Sequence, residues 1–166
     1  MIKNQALKYF QTFSSEDITS PLHDIYFKND SLYACNAIVL VKMQWKEQLY
    51  KNDKTYVIDQ AKLNGVSKVN KANLVGIKRY LVPSEVEMPD FDLWFTGRIA
   101  NERREQCFID PKIFREVAHL FATSWFQIQV VDDREDTLFL RGIQYTRDKP
   151  YAELSAIIAK KVIAYA

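Results

Sequence analysis

A chain of 166 residues with 48% hydrophobic residues and a formal net charge of +2 is too apolar for a disordered segment. It is also too nearly neutral for charge alone to imply nucleic acid. Its length suits one domain; no apolar run approaches the roughly 20 residues of a membrane helix, and MIKNQALKYF lacks a signal peptide's apolar core, so a cytoplasmic location is expected.

Residues 3–14 place Ala6, Leu7, Phe10 and Phe13 at helical spacing, with Asn4, Lys8, Gln11 and Ser15 on the other side, which predicts a short amphipathic helix. Residues 22–45 read as strands with a turn at Lys28-Asn29-Asp30. In the second of these strands the odd positions Tyr33, Cys35, Ala37, Val39, Val41, Met43 and Trp45 are all apolar and are expected to face the core. Asn36 is the one polar residue in the run from Leu32 to Val41 apart from Tyr33 and Cys35. A buried Asn needs a hydrogen-bond partner or a local kink, so a bulge or strand break is expected within a residue or two of it. The two cysteines, Cys35 and Cys107, match no metal spacing. They read as reduced thiols, with a disulfide as the alternative.

A strand is expected to run into a helical turn from Asp59, which Gly65 keeps short. Residues 60–84 then hold Lys62, Lys68, Lys71, Lys78 and Arg79 and no acid, whereas residues 85–92 hold Glu85, Glu87, Asp90 and Asp92 and no base. Pro83 and Pro89 make this stretch extended or looped. The clearest helix begins at Pro111, with Asp110 as N-cap and Ile113, Phe114, Val117, Leu120 and Phe121 on its apolar face. Residues 125–145 read as a β-hairpin with Asp132-Asp133-Arg134-Glu135-Asp136 at its turn. In the tail, apolar residues at 154, 157, 158, 162 and 165 favour a closing helix, although the β-branched content also suits a strand. The order helix, strands, variable middle, helix, strands is that of an α+β domain.

That order, together with Ala34-Cys35-Asn36-Ala37 in the first hairpin, Pro89-Asp90-Phe91, and the helix-to-hairpin stretch Cys107–Ile143, resembles one domain of the bacterial DNA sliding clamps. The resemblance covers residues 4–45 and 86–143 and leaves 46–85 unplaced. It implies a single clamp-like α+β domain over residues 1–166, with two helix-plus-antiparallel-strand units and the helices on one face of the sheet. It implies a kink near Asn36, a non-enzymatic role in DNA replication, a phage or mobile-element setting, and partners among DNA, replication or host clamp-related proteins and further copies of itself. Clamps of that family carry several such domains per chain and close into rings. This chain has room for one, so a ring would need several copies, and an adaptor or inhibitor that does not bind DNA is the alternative.

Lys112, Arg115 and His119 share one face of their helix and, with Lys8 on the first helix, are the phosphate-contacting candidates. A solvated helix face is the plain alternative. The basic run Lys62, Lys68, Lys71, Lys78 and Arg79 is a second candidate DNA surface, or else a solubilising loop that pairs with the acidic segment after it. Trp94, with Phe91 beside it, is the candidate partner-binding residue, because an aromatic next to a proline segment suits a groove. His23 reads as a turn residue. No nucleophile–base order, metal-ligand cluster or phosphate-binding glycine loop is present, so no catalytic residue, metal or cofactor is expected.

Overall fold

The turn at Asn29-Asp30 joins strand β2 (Tyr26–Lys28) to β3 (Ser31–Cys35). Both turn residues have positive φ, 48° and 55°, the backbone of a two-residue type I′ hairpin, which Asn and Asp tolerate better than other non-glycine residues. In the computed structural model, which describes residues 2–3, 10–46, 53–65, 71–72, 77–95, 110–121, 127–130, 137–146 and 149–159, this hairpin sits near the middle of an eight-stranded antiparallel sheet. Strand β1 (Ile2–Lys3) lies outside it and pairs with β6 (Lys71–Ala72) in a separate two-stranded ladder. Lys3 is therefore strand and not the start of the expected helix. Residues 10–12 are helical, and Phe10 and Phe13 are fully buried.

The expected break at Asn36 is present. β3 ends at Cys35 and β4 (Val39–Trp45) starts three residues after Asn36. The Asn36 backbone N–H donates to the Val39 carbonyl at 3.1 Å, and its Oδ1 accepts from the N–H groups of Ile38 and Val39 at 3.1 and 2.9 Å. Ala37 takes a φ of 69°. The turn also corrects the expected core face. Because Cys35 pairs with Leu40 and Tyr33 with Lys42, the inward parity switches at the turn: Leu32 and Ala34 join Val39, Val41, Met43 and Trp45 on one face, and Tyr33 and Cys35 fall on the other.

Strand β5 (Tyr56–Ile58) runs into helix α1 (Gln60–Asn64), whose N-cap Asp59 accepts from the Lys62 backbone N–H at 3.0 Å. A single 3₁₀ turn, Lys78–Tyr80, leads into the edge strand β7 (Leu81–Pro83). The middle of the chain thus contributes strands to the same sheet. Helix α2 (Asp92–Phe95) is one turn. Helix α3 (Pro111–Phe121) starts as expected, with the Asp110 carboxylate accepting from the Lys112 N–H at 2.8 Å. β8 (Gln127–Val130) and β9 (Thr137–Thr146) form the expected antiparallel pair. The acidic turn between them lies outside the described residues.

The described part of the tail, residues 149–159, is strand and not helix. Residues 149–159 form β10 (Lys149–Ala159), which pairs along its length with β4 on one side and β9 on the other. Ala152, Leu154, Ala156 and Ile158 pack at period two into one core cluster and Ile157 into the other, so alternation of faces along a central strand overrides the weaker helical spacing. A register shift at Pro150–Ala152 lets proline enter the strand at a bulge. The strand order is β7-β5-β2-β3-β4-β10-β9-β8.

The two faces of the sheet are covered differently. On the first, Phe10, Phe13, Leu63 of α1, Ile77, Tyr80 and Val117 and Leu120 of α3 close over the inward residues of β2, β3, β4, β9 and β10. On the second, Tyr26, Tyr33, Leu40 and Ile157 are covered by Phe91, with Met88 and Phe95 packed beside it. The one-turn α2 therefore lies over the face opposite α1 and α3, while helical residues 10–12 and α3, the described parts of the two expected helices, share the first face.

Candidate interaction groove

Residues 84–95 cross the second face as a strap. At its start the Ser84 hydroxyl donates to the Val86 carbonyl at 2.7 Å. At its end the Phe91 N–H donates to the Pro89 carbonyl and the Trp94 N–H to the Phe91 carbonyl, at 2.7 and 3.1 Å. Phe91 anchors the strap: only 4% exposed, it stacks on Tyr33 and meets Tyr26 edge-on, each with ring centroids 6.0 Å apart. Burying such a ring contributes about 1.5–3 kcal/mol. Phe91, expected on a partner surface, is thus the plug that holds the strap down.

Asp92, the next residue, latches it. Its Oδ1 accepts from Lys42 Nζ at 2.7 Å and from the Tyr33 hydroxyl at 3.1 Å, and its Oδ2 lies 3.2 Å from the same hydroxyl. The Lys42 side chain is 18% exposed and its ammonium sits over the rings of Tyr33 and Phe95, at 5.2 and 5.6 Å. Burial pushes the Lys42 ammonium down, but the Asp92 carboxylate and the Tyr33 hydroxyl more than offset this, so its pKa ends above the ordinary lysine value. Burial, the largest influence, raises the Tyr33 phenol, and the Asp92 charge adds to it against the opposing pull of Lys42. The signal for this latch was in the sequence: Lys42 is the first charged residue after the apolar run of β3 and β4, and a lone charge on a covered strand needs a partner. Its partner is fifty residues away, which local patterns do not reach.

Between the strap and the β3–β4 turn lies an open groove of about 330 Å³. The strap side is Pro89, Asp90, Phe91 and Trp94; the turn side is Cys35 to Leu40 without Asn36, with Ile157 and Ala159 of β10 and Leu22 completing it. Trp94 and Ile38 stand 46% and 49% exposed at its rim, as large apolar surfaces that folding leaves uncovered. Leu93, also exposed, extends the apolar surface along α2. Cys35 is a free thiol in this lining. Burial pushes the thiol pKa up, opposed by the Ala37 N–H that Sγ accepts at 3.4 Å, so it is a poor nucleophile.

The sequence-predicted DNA residues are distributed over other elements. Lys112, Arg115 and His119 are all exposed on α3, away from its apolar side. Lys62 on α1 forms an ion pair with Asp59 at 3.0 Å. Lys78 and Arg79 are exposed on the 3₁₀ turn that packs against α1, with the Arg79 guanidinium 6.0 Å from the Tyr80 ring centroid. Lys71 belongs to β6, and Lys8 and Lys68 lie outside the described residues. Among the described residues no ion pair joins the basic run to the acidic segment after it. His23 Nδ1 lies 2.8 Å from the Ser15 carbonyl, to which it donates within a turn. No described group of three or more His, Cys, Asp or Glu side chains is arranged to hold a metal ion, and no described helix is long and apolar enough to cross a membrane. No protein-family model, curated protein or solved structure matches this sequence.

Proposed function

We propose that the protein is a non-enzymatic protein-interaction module that takes an apolar side chain of a partner protein into the groove between the strap and the β3–β4 turn. The observation that carries this reading is the pair Ile38 and Trp94: two large apolar residues from distant parts of the chain, exposed on the two sides of one concave apolar surface. Isolated exposed apolar residues are ordinary, but a clustered pair on a groove suits an interface. Tryptophan on a pre-formed wall is the kind of residue that dominates binding energy. The volume is at the small end for ligand sites, enough for one or two apolar side chains. In a clamp-like setting this is the adaptor or inhibitor role.

The test is selection of random dodecapeptides on the wild-type protein, with counter-selection on the I38S/W94A variant. Enriched peptides that share an apolar anchor and bind the variant at least tenfold more weakly support the reading. Enrichment that does not distinguish the two proteins overturns it.

A second reading, contact with DNA as in a processivity factor, rests on the shared exposed face of Lys112, Arg115 and His119. It requires duplex affinity that falls steeply with salt, and a K112Q/R115Q variant whose log–log salt slope is shallower by about 2. Absence of duplex binding at low salt removes it.

A further inference from the structure

Resting on the groove reading, we infer the chemistry of the occupant: a cationic segment, with lysines or arginines flanking its apolar anchor. Among the described residues the groove's strap side carries more negative than positive charge. Asp90 lines the groove and is exposed, and Glu85 and Glu87 are exposed on the same strap. None of the three carboxylates forms an ion pair or side-chain hydrogen bond with a described residue, whereas Asp92 next to them is already held by Lys42 and Tyr33. The opposite side of the groove is uncharged in its described lining, from Ala37 to Leu40 and at Ile157 and Ala159; Lys160 and Lys161, which follow, lie outside the described residues. An occupant that seats an apolar side chain beside Trp94 brings its flanking residues over the strap, where cations gain attraction and anions meet repulsion. Charges at a rim set selectivity and association rate more than total affinity, so the apolar anchor supplies the binding and the carboxylates supply the choice.

The experiment uses two fluorescent nonapeptide pools with a central Leu, Ile or Phe, one with Lys and Ser at the flanks and one with Glu and Ser, titrated onto the full chain. At low salt the lysine pool is expected to bind roughly tenfold more tightly, the sum of three modest rim interactions. The preference should shrink to about twofold near 1 M salt, where the screening length is about 3 Å. An E85Q/E87Q/D90N variant, with its folding checked by thermal unfolding, should lose the preference while still binding both pools, and K160Q/K161Q should keep it. Equal binding of both pools, with loss of both in I38S/W94A, overturns the cationic occupant but leaves the groove reading standing. Binding of neither pool overturns both. If the protein dimerises in sedimentation and I38S/W94A is a monomer, the occupant is a second copy of this chain, and the cationic segment is rejected.

Discussion

The two faces of the sheet are built from the same strands but do different work. The first is a continuous apolar layer under the helical residues 10–12, α1, the 3₁₀ turn and α3. The second is a small cluster of aromatics under a strap, held by one plug and one carboxylate, with an uncovered groove at its end. Stability is concentrated on the first face, and the second has surface to spare for a partner. A strap tied at few points is also the type of element that opens locally before the rest of a fold unfolds.

Four substitutions sharpen that contrast. The largest effect is expected from L154A in the central strand, whose buried side chain on the first face leaves a cavity; a loss of about 2–5 kcal/mol in denaturant unfolding, global and two-state, is expected. F91A should cost less, about 2 kcal/mol, because the strap can leave the sheet while the first face stays closed. Hydrogen exchange should then accelerate at the strap amides Phe91 and Trp94 and stay slow in β4 and β10. K42M should cost about 1 kcal/mol, since Asp92 is 54% exposed and regains water when its partner is lost. The raised pKa values of Lys42 and Tyr33 give the latch a pH signature. Both groups favour their protonated forms in the folded state, so the stability they contribute is present below their ordinary values near pH 10 and is lost as pH rises through that range. Thermal midpoints measured from pH 8 to pH 11.5 should fall less steeply in K42M/Y33F, which lacks both groups, than in the wild type; K42M alone leaves Tyr33 without the cation that opposes its rise. The smallest effect is a gain: A37G relieves a left-handed alanine and should add about 0.5 kcal/mol, the strain released less the entropy glycine gains in the unfolded chain.

The parts legible in the sequence were those set by neighbours along the chain. Asp110 and Pro111 announce α3, Asp59 announces α1, and Asn36 marks a strand break because a polar side chain in an apolar run must find backbone partners, which the turn provides. The parity of β3 was misread for the same reason: alternation carries across a strand but not across a turn. For β10 the sequence favours a helix over the alternative strand because Leu154, Ile157 and Ile158 satisfy a helical spacing while Ala152 and Ala156 are too small to announce a strand. Only pairing with β4, distant in sequence, and with β9, two residues before it, decides the matter. Trp94 was legible as a surface aromatic, but its groove was not, since Ile38, Cys35 and Ala159 join it only in the folded sheet. Phe91 and Trp94 looked alike in sequence; one is the plug and the other the rim.

The most direct test of the claim that the second face is the binding surface is an amide chemical-shift map of the ¹⁵N-labelled protein titrated with a selected apolar-anchor peptide. Shifts confined to Ala37, Ile38, Leu40, Asp90, Trp94 and Ala159, absent in I38S/W94A although that variant unfolds within about 0.5 kcal/mol of wild type, are the expected result. Shifts centred on α3 or on the 3₁₀ turn, with the groove amides unmoved, would contradict it.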